Sequence, residues 1–206
     1  MNIINQINNE SNPKRELSDI QSIIVHHTGS TASDENNAKF LNKNNYISCH
    51  YMVGRNGSIF YLMEEDRIAY HCGKSSYPGL LTKYSSLNHC TLGIEVNSDG
   101  TNFTDEQRKS VVELIKYLKE KHNISKELIL RHRDIAPGRK WDIGDNFWNK
   151  DYSSWAEYIN QFADKDTPYI RVLKATIMRL NSALFDSVTS LELKDALHKV
   201  NSILRR

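Results

Sequence analysis

Eight histidines stand among the 206 residues, and two of them sit where chemistry could converge. His26 closes the β-branched run Ser22-Ile23-Ile24-Val25, with His27 directly after it. His132 closes a second apolar run, Leu128 to Arg131, and Asp142 follows ten residues later. If those two strand ends are neighbours in one sheet, His26, His132 and Asp142 meet. Two imidazoles and one carboxylate leave a fourth position of a zinc ion open to water, which is the layout of a catalytic site rather than a structural one. Zinc there would acidify a bound water toward a pKa of ~7 and polarise a carbonyl. On spacing alone, a histidine at a strand end reads equally as a surface or core residue.

Several elements must position these groups. Ser22 to His26 reads as a strand, followed by the turn-like Thr28-Gly29-Ser30-Thr31. Ser33 or Asp34 caps a helix running to about Asn42. Cys49–Val53 and Ser58–Met63 flank Gly54-Arg55-Asn56-Gly57, and Asn-Gly predicts a hairpin with a type I′ turn. Residues 64–90 form a long Ser-, Gly-, Tyr- and His-bearing loop, a kind often tied to function. Thr91 to Val96 is another strand. Thr104-Asp105-Glu106-Gln107 matches a capping box, and Val111, Val112, Leu114, Ile115 and Leu118 follow at helical spacing. Leu128 to Arg131 is a strand, 133–152 a loop, and Ser154 to Phe162 a short helix. Strands alternating with helices predict an α/β domain over 21–166, a central mixed β-sheet flanked by helices. An irregular arm, 1–20, precedes it, and a C-terminal helical appendage, 167–206, follows it.

Composition excludes several classes. Apolar residues make up 39% and charged residues 25%, too apolar for a disordered chain. A net charge of +2 gives no global pull toward nucleic acid. No apolar run is long enough for a transmembrane segment. Cys49, Cys72 and Cys90 are odd in number and form no CxxC, so they read as small buried thiols of a reducing compartment. The polar, Asn-rich start lacks a Sec signal pattern. The expectation is a chain made in the cytoplasm, acting there or on the cell wall after release.

The wording around the candidate residues is more specific than their spacing. Ile-Ile-Val-His-His-Thr (23–28), Cys-His-Tyr-Met-Val-Gly-Arg-Asn-Gly (49–57) and Ala-Tyr-His-Cys-Gly (69–73) occur in order. Thr-Leu-Gly-Ile-Glu-Val (91–96) and Arg-His-Arg-Asp-Ile-Ala-Pro-Gly-Arg-Lys-Trp-Asp (131–142) follow. Over roughly residues 21–148 the chain resembles the zinc-dependent N-acetylmuramoyl-L-alanine amidases, a family that also includes the peptidoglycan recognition proteins. The resemblance implies their fold, a Zn2+ cofactor held by His26, His132 and Asp142, and a peptidoglycan or muropeptide substrate. It implies hydrolysis of the amide between N-acetylmuramic acid and L-alanine by zinc-activated water.

It also implies roles for other side chains. Lys140 takes the position of a catalytic lysine whose ammonium steadies the oxyanion. Glu95 matches the glutamate that serves as general base in the recycling enzymes. Phage members carry a tyrosine where this chain has Cys49, which leaves Glu95 as the base. His71 is expected to touch substrate or to pack its loop, and Asn88 and Arg139 to contact substrate or support the site. His27 and His50 pack beside or beneath it. His89, His122 and His198 have no motif around them and read as solvent-facing. Trp141, Trp148 and Trp155 read as packing residues.

Beyond the resemblance, Ile170, Leu173, Ile177, Leu180 and Leu184 form one helix face, and Leu193, Leu197, Val200 and Leu204 another. From residue 168 on, seven Lys and Arg side chains face only Asp186, Glu192 and Asp195. That segment reads as a packing or self-association appendage, or as a basic surface for an anionic envelope. For the whole chain, two readings compete. One is a peptidoglycan amidase acting as lysin, recycling enzyme or antibacterial effector. The other is a non-catalytic peptidoglycan-binding module, against which the complete His-His-Asp set counts.

Overall fold

A computed structural model describes residues 2–7, 11–43, 46–80 and 86–163. The C-terminal helical pair expected over 168–206, with His198, lies outside the described residues. The six strands are β1 (Ile3–Asn5), β2 (Ser22–His27), β3 (Tyr51–Val53), β4 (Ile59–Tyr61), β5 (Thr91–Val96) and β6 (Ile129–Arg131). They form one sheet in the order β1-β4-β3-β5-β2-β6. Only β3 and β4 pair antiparallel; the other neighbours are parallel. The mixed sheet expected from the sequence is present.

Central strands β2 and β5 are buried on both faces, as parallel strands between two layers must be. Side chains alternate between those layers. Ile23, Val25, Leu92, Ile94 and Val96 pack against Val111, Leu114, Ile115 and Leu118 of helix α2 (Asp105–His122). Each such aliphatic side chain contributes about 2 kcal/mol when fully buried. Ile24 points to the opposite layer, with Leu87, Leu130 and Ile135. Period two therefore sends His26, like Ile24, to that second layer, and Glu95 opposite the α2 side.

Local chemistry explains the element ends. Thr104 Oγ1 accepts from Gln107 N and Gln107 Oε1 accepts from Thr104 N, so the capping box at the start of α2 is complete. For α1 (Asp34–Lys43) the cap is Ser33, whose Oγ accepts from Asn36 N. Asp34 instead takes the Arg55 amide on both carboxylate oxygens at 2.9 Å. Helix α3 (His132–Ile135) stands inside the stretch expected to be loop, and α4 (Trp155–Asn160) falls where a short helix was expected.

Two expectations need correction. The hairpin forms, but not around a type I′ turn, because Asn56 does not adopt the positive φ that turn requires. Gly57 N donates to Gly54 O, and Gly57 alone takes φ 81°, so a four-residue turn ends in a glycine bulge. The N-terminal arm is not irregular throughout either. Residues 3–5 pair in register with 59–61 as the sheet's edge strand. Arg15 is buried and donates to the carbonyls of Glu65, Asn88, His89 and Thr91.

Among the described residues no helix is long and apolar enough to cross a membrane. All three cysteines are free and buried, as expected.

Candidate active site

The parallel register sets the site. His26 lies directly opposite Glu95 across β2 and β5, and Val25 opposite Arg131 across β2 and β6. His132 is the residue after β6, so both histidines emerge at the same edge of the sheet. Asp142 returns to them because Arg133 N donates to the Asp142 carbonyl at 2.7 Å. One nitrogen from each histidine and one Asp142 oxygen all lie within 4.8 Å of one another. His26 Nδ1 is 3.3 Å and His132 Nδ1 2.9 Å from the same oxygen, Asp142 Oδ2.

These residues fit a metal ion by the chemistry of their donors. His132 Nε2 faces the Cys72 carbonyl at 3.2 Å, which can only accept, so that nitrogen carries the proton. With only that proton, the ring turns a bare Nδ1 lone pair onto an Asp142 carboxylate oxygen. Two acceptors at that distance repel unless a cation lies between them. Burial, opposed by Asp142, pushes His26 down to about 4, so its imidazole is neutral and able to ligate at neutral pH.

Glu95 flanks this cluster. It is 9% exposed, and among the described residues its buried Oε2 has no hydrogen-bond partner. Burial, then the Asp142 charge, pushes its carboxyl up to about 8, with Lys140 opposing. A buried carboxylate with an unused oxygen beside a metal-ligand set is a candidate base. Lys140, Arg139, Glu95, His132 and Asp142 line one cleft of about 600 Å³. Its other wall is apolar and exposed, with Phe40, Tyr46 and Ile47.

The structure brings most expected site residues together and reassigns two of them. Arg139 lines the cleft while donating to the carbonyls of Cys72 and Lys74. His71 touches the cleft but is 6% exposed, and both ring nitrogens are engaged within the protein. Nδ1 is 3.0 Å from His26 Nε2 and Nε2 is 3.1 Å from Thr91 Oγ1, so neither is offered to substrate. Asn88 is buried too, and its Oδ1 accepts from the amides of His71 and Cys72. It holds the loop that carries His71. Gly93 lets that ring approach β5, since a Cβ there would stand 2.7 Å from His71 Cγ.

His50 is fully buried beneath His71, its Nδ1 accepting from Gly93 N. His27 stacks edge-on to Phe103. His122 does not face solvent: its side chain is 5% exposed and pairs with Glu65. Trp148 and Trp155 pack in the core, but Trp141 is 72% exposed beside Asp142. Thr91 and the Cys72 carbonyl were not anticipated. A backbone carbonyl has no sequence signature, and Thr91 reads as an ordinary strand residue.

Fold and site together define a mixed-sheet α/β protein with two histidines and one aspartate at its strand ends, placed where they could hold a metal ion. The sequence profile of the N-acetylmuramoyl-L-alanine amidase family matches residues 16–145, and the chain belongs to that family. Among curated relatives, it is 26% identical over 185 residues to the N-acetylmuramoyl-L-alanine amidase AmiD of Escherichia coli, covering 78% of this chain and 64% of that protein. It is 34% identical over 118 residues to the 1,6-anhydro-N-acetylmuramyl-L-alanine amidase AmpD of Haemophilus influenzae, covering 55% and 58%. The chain thus spans less than two thirds of the length of either relative. Solved structures share the fold. A selenomethionine derivative of AmpD superposes with TM-score 0.59 at 21% identity, covering 79% of this chain and 94% of that one. AmiD of E. coli, in complex with the substrate anhydro-N-acetylmuramic acid-L-Ala-D-γ-Glu-L-Lys, gives 0.57 at 24%, covering 81% and 65%.

Proposed function

We propose that the chain is a zinc-dependent amidase that hydrolyses the bond between the lactyl carbonyl of N-acetylmuramic acid and the L-alanine of the stem peptide. The observation that carries this is the convergence of His26, His132 and Asp142 beside Glu95, in a member of the amidase family. The substrate in the AmiD complex supports the muropeptide assignment.

His26, His132 and Asp142 would hold the metal. When bound, zinc supplies Lewis acidity, acidifying water and polarising the scissile carbonyl. Glu95 takes a proton from the attacking water with its unpartnered oxygen. Lys140 turns its ammonium toward the oxyanion that forms when the water oxygen bonds to the carbonyl carbon. Glu95 then returns the proton to the departing nitrogen as the carbon–nitrogen bond breaks. The products are a muramoyl carboxylate and a peptide with a free L-alanine amine. Arg139 and the Phe40–Tyr46–Ile47 wall bound the cleft that orients the substrate, and the buried sheet face keeps bulk water from one side of Glu95.

The test is release of L-alanine amino termini from a soluble anhydro-muropeptide and from intact sacculi, assayed side by side. Wild type should release them and His26→Ala should not, with native circular dichroism in both. Equal release by a folded His26→Ala protein rejects the scheme.

A further inference from the structure

The direction of each hydrogen bond around His26 can be read outward from a group whose polarity is fixed. Thr91 Oγ1 donates to the Leu87 carbonyl at 2.8 Å. Its hydroxyl proton is thereby committed, and the oxygen faces His71 Nε2 at 3.1 Å as an acceptor. His71 must then carry its proton on Nε2, leaving Nδ1 bare. Bare Nδ1 lies 3.0 Å from His26 Nε2, so His26 in turn carries its proton on Nε2. The nitrogen left unprotonated is His26 Nδ1, the one aimed at Asp142. The Cys72 thiol, 3.5 Å from His71 Nδ1 and 3.4 Å from Thr91 Oγ1, completes the surroundings.

We propose that Thr91 and His71 are positioning residues that set the tautomer of His26 from the Leu87 carbonyl, keeping Nδ1 as its metal-ligating lone pair. The inference rests on the metal-site reading above. It gives His71 a positioning role in place of a substrate contact, and the same kind of role to Thr91, which does not line the cleft. Without the Thr91 hydroxyl, His71 Nε2–H is left with only the Cys72 sulfur, 3.9 Å away, as a weak acceptor. Moving the His71 proton to Nδ1 would relieve this, but His26 would then have to accept on Nε2 and carry its own proton on Nδ1. That proton competes directly with a metal ion. Groups that orient a ligating histidine typically change metal affinity by about 10- to 100-fold when removed.

The test compares Thr91→Val, which keeps the shape and removes the hydroxyl, with Thr91→Ser, which keeps the hydroxyl. Zinc affinity is measured by chelator competition on the full chain. The His26 tautomer is read in the metal-free protein from the 15N shifts of its imidazole. Thr91→Val should weaken zinc binding about tenfold or more and move the His26 proton toward Nδ1; Thr91→Ser should stay within about threefold of wild type. Zinc affinity and tautomer unchanged in Thr91→Val overturn the inference, as does an equal loss in both variants. If Thr91→Val does not fold, His71→Asn and His71→Leu replace it. The Asn amide oxygen stands near the Nδ1 position and should preserve affinity that Leu loses; equal affinities overturn the proposal. Wild type failing to bind zinc would reject the metal-site reading itself, while the tautomer measurement would still judge the relay.

Discussion

In the proposed scheme Glu95 carries both proton transfers in one side chain. Most buried carboxylates spend both oxygens on hydrogen bonds. Glu95 Oε2 has no such partner, and burial with the nearby Asp142 charge makes the group a better base than an exposed glutamate. Lys140 already opposes that rise, and a cation held by His26, His132 and Asp142 would oppose it further. Glu95→Gln keeps the volume and removes the base. We expect kcat to fall about 10²- to 10⁴-fold with zinc content unchanged, checked by steady-state kinetics alongside metal analysis. Zinc-loaded Glu95→Gln turning over within a few-fold of wild type would assign the proton transfer elsewhere. At this scale the sequence was legible for which side chains meet: His26, His132 and Asp142 come together, with Glu95 and Lys140 on the same cleft. It was less so for His71 and Asn88. Their residue types suit substrate contact, and only the partners of their polar atoms reveal that they face inward.

Elements were legible wherever a local rule governed them. The β-branched run of β2 and the Thr104–Gln107 box act over a few residues, so those segments matched expectation. Strand β1 was not legible: it is three residues long, sits among asparagines and is defined only by pairing with 59–61. His122 failed for the same reason at longer range. It ends α2, where a histidine ordinarily faces water, but its partner Glu65 lies 57 residues away. Glu65 is held at about 2: burial would raise it, but hydrogen bonds from His122, Lys121 and Tyr51 outweigh burial. Its folded value lies below the ordinary 4.5. The cluster therefore stabilises the fold above that value and stops doing so as pH falls toward about 2. Glu65→Gln should cost about 3 kcal/mol at neutral pH and flatten the loss of stability on acidification. Urea melts across that range check this, and curves that stay parallel to wild type would show that Glu65 does not set the acid response.

At the scale of the whole molecule, the family match begins at residue 16, yet the chain ahead of it is built into the domain. Two attachments do this, and they differ in kind. Strand β1 adds three residues to a sheet edge, far from the ligand cluster in strand order. Arg15 is a buried cation, its guanidinium spread over the carbonyls of Glu65, Asn88, His89 and Thr91. The carbonyls of Asn88, His89 and Thr91 belong to the segment whose side chains hold His71, so Arg15 braces that segment from behind. Burial lowers it to about 10, which leaves it charged at neutral pH. Replacing it leaves several buried acceptors without donors, each costing about 1–3 kcal/mol. Arg15→Leu should therefore lose about 3 kcal/mol or more and weaken zinc binding as well, because Asn88 and Thr91 lose their anchor. Deleting residues 2–7 removes only an exposed edge and should cost about 1 kcal/mol with zinc affinity intact. Urea melts and chelator competition on both variants decide between these effects. Zinc affinity that falls with the strand deletion and not with Arg15→Leu would place the brace in β1, contrary to the geometry of the guanidinium.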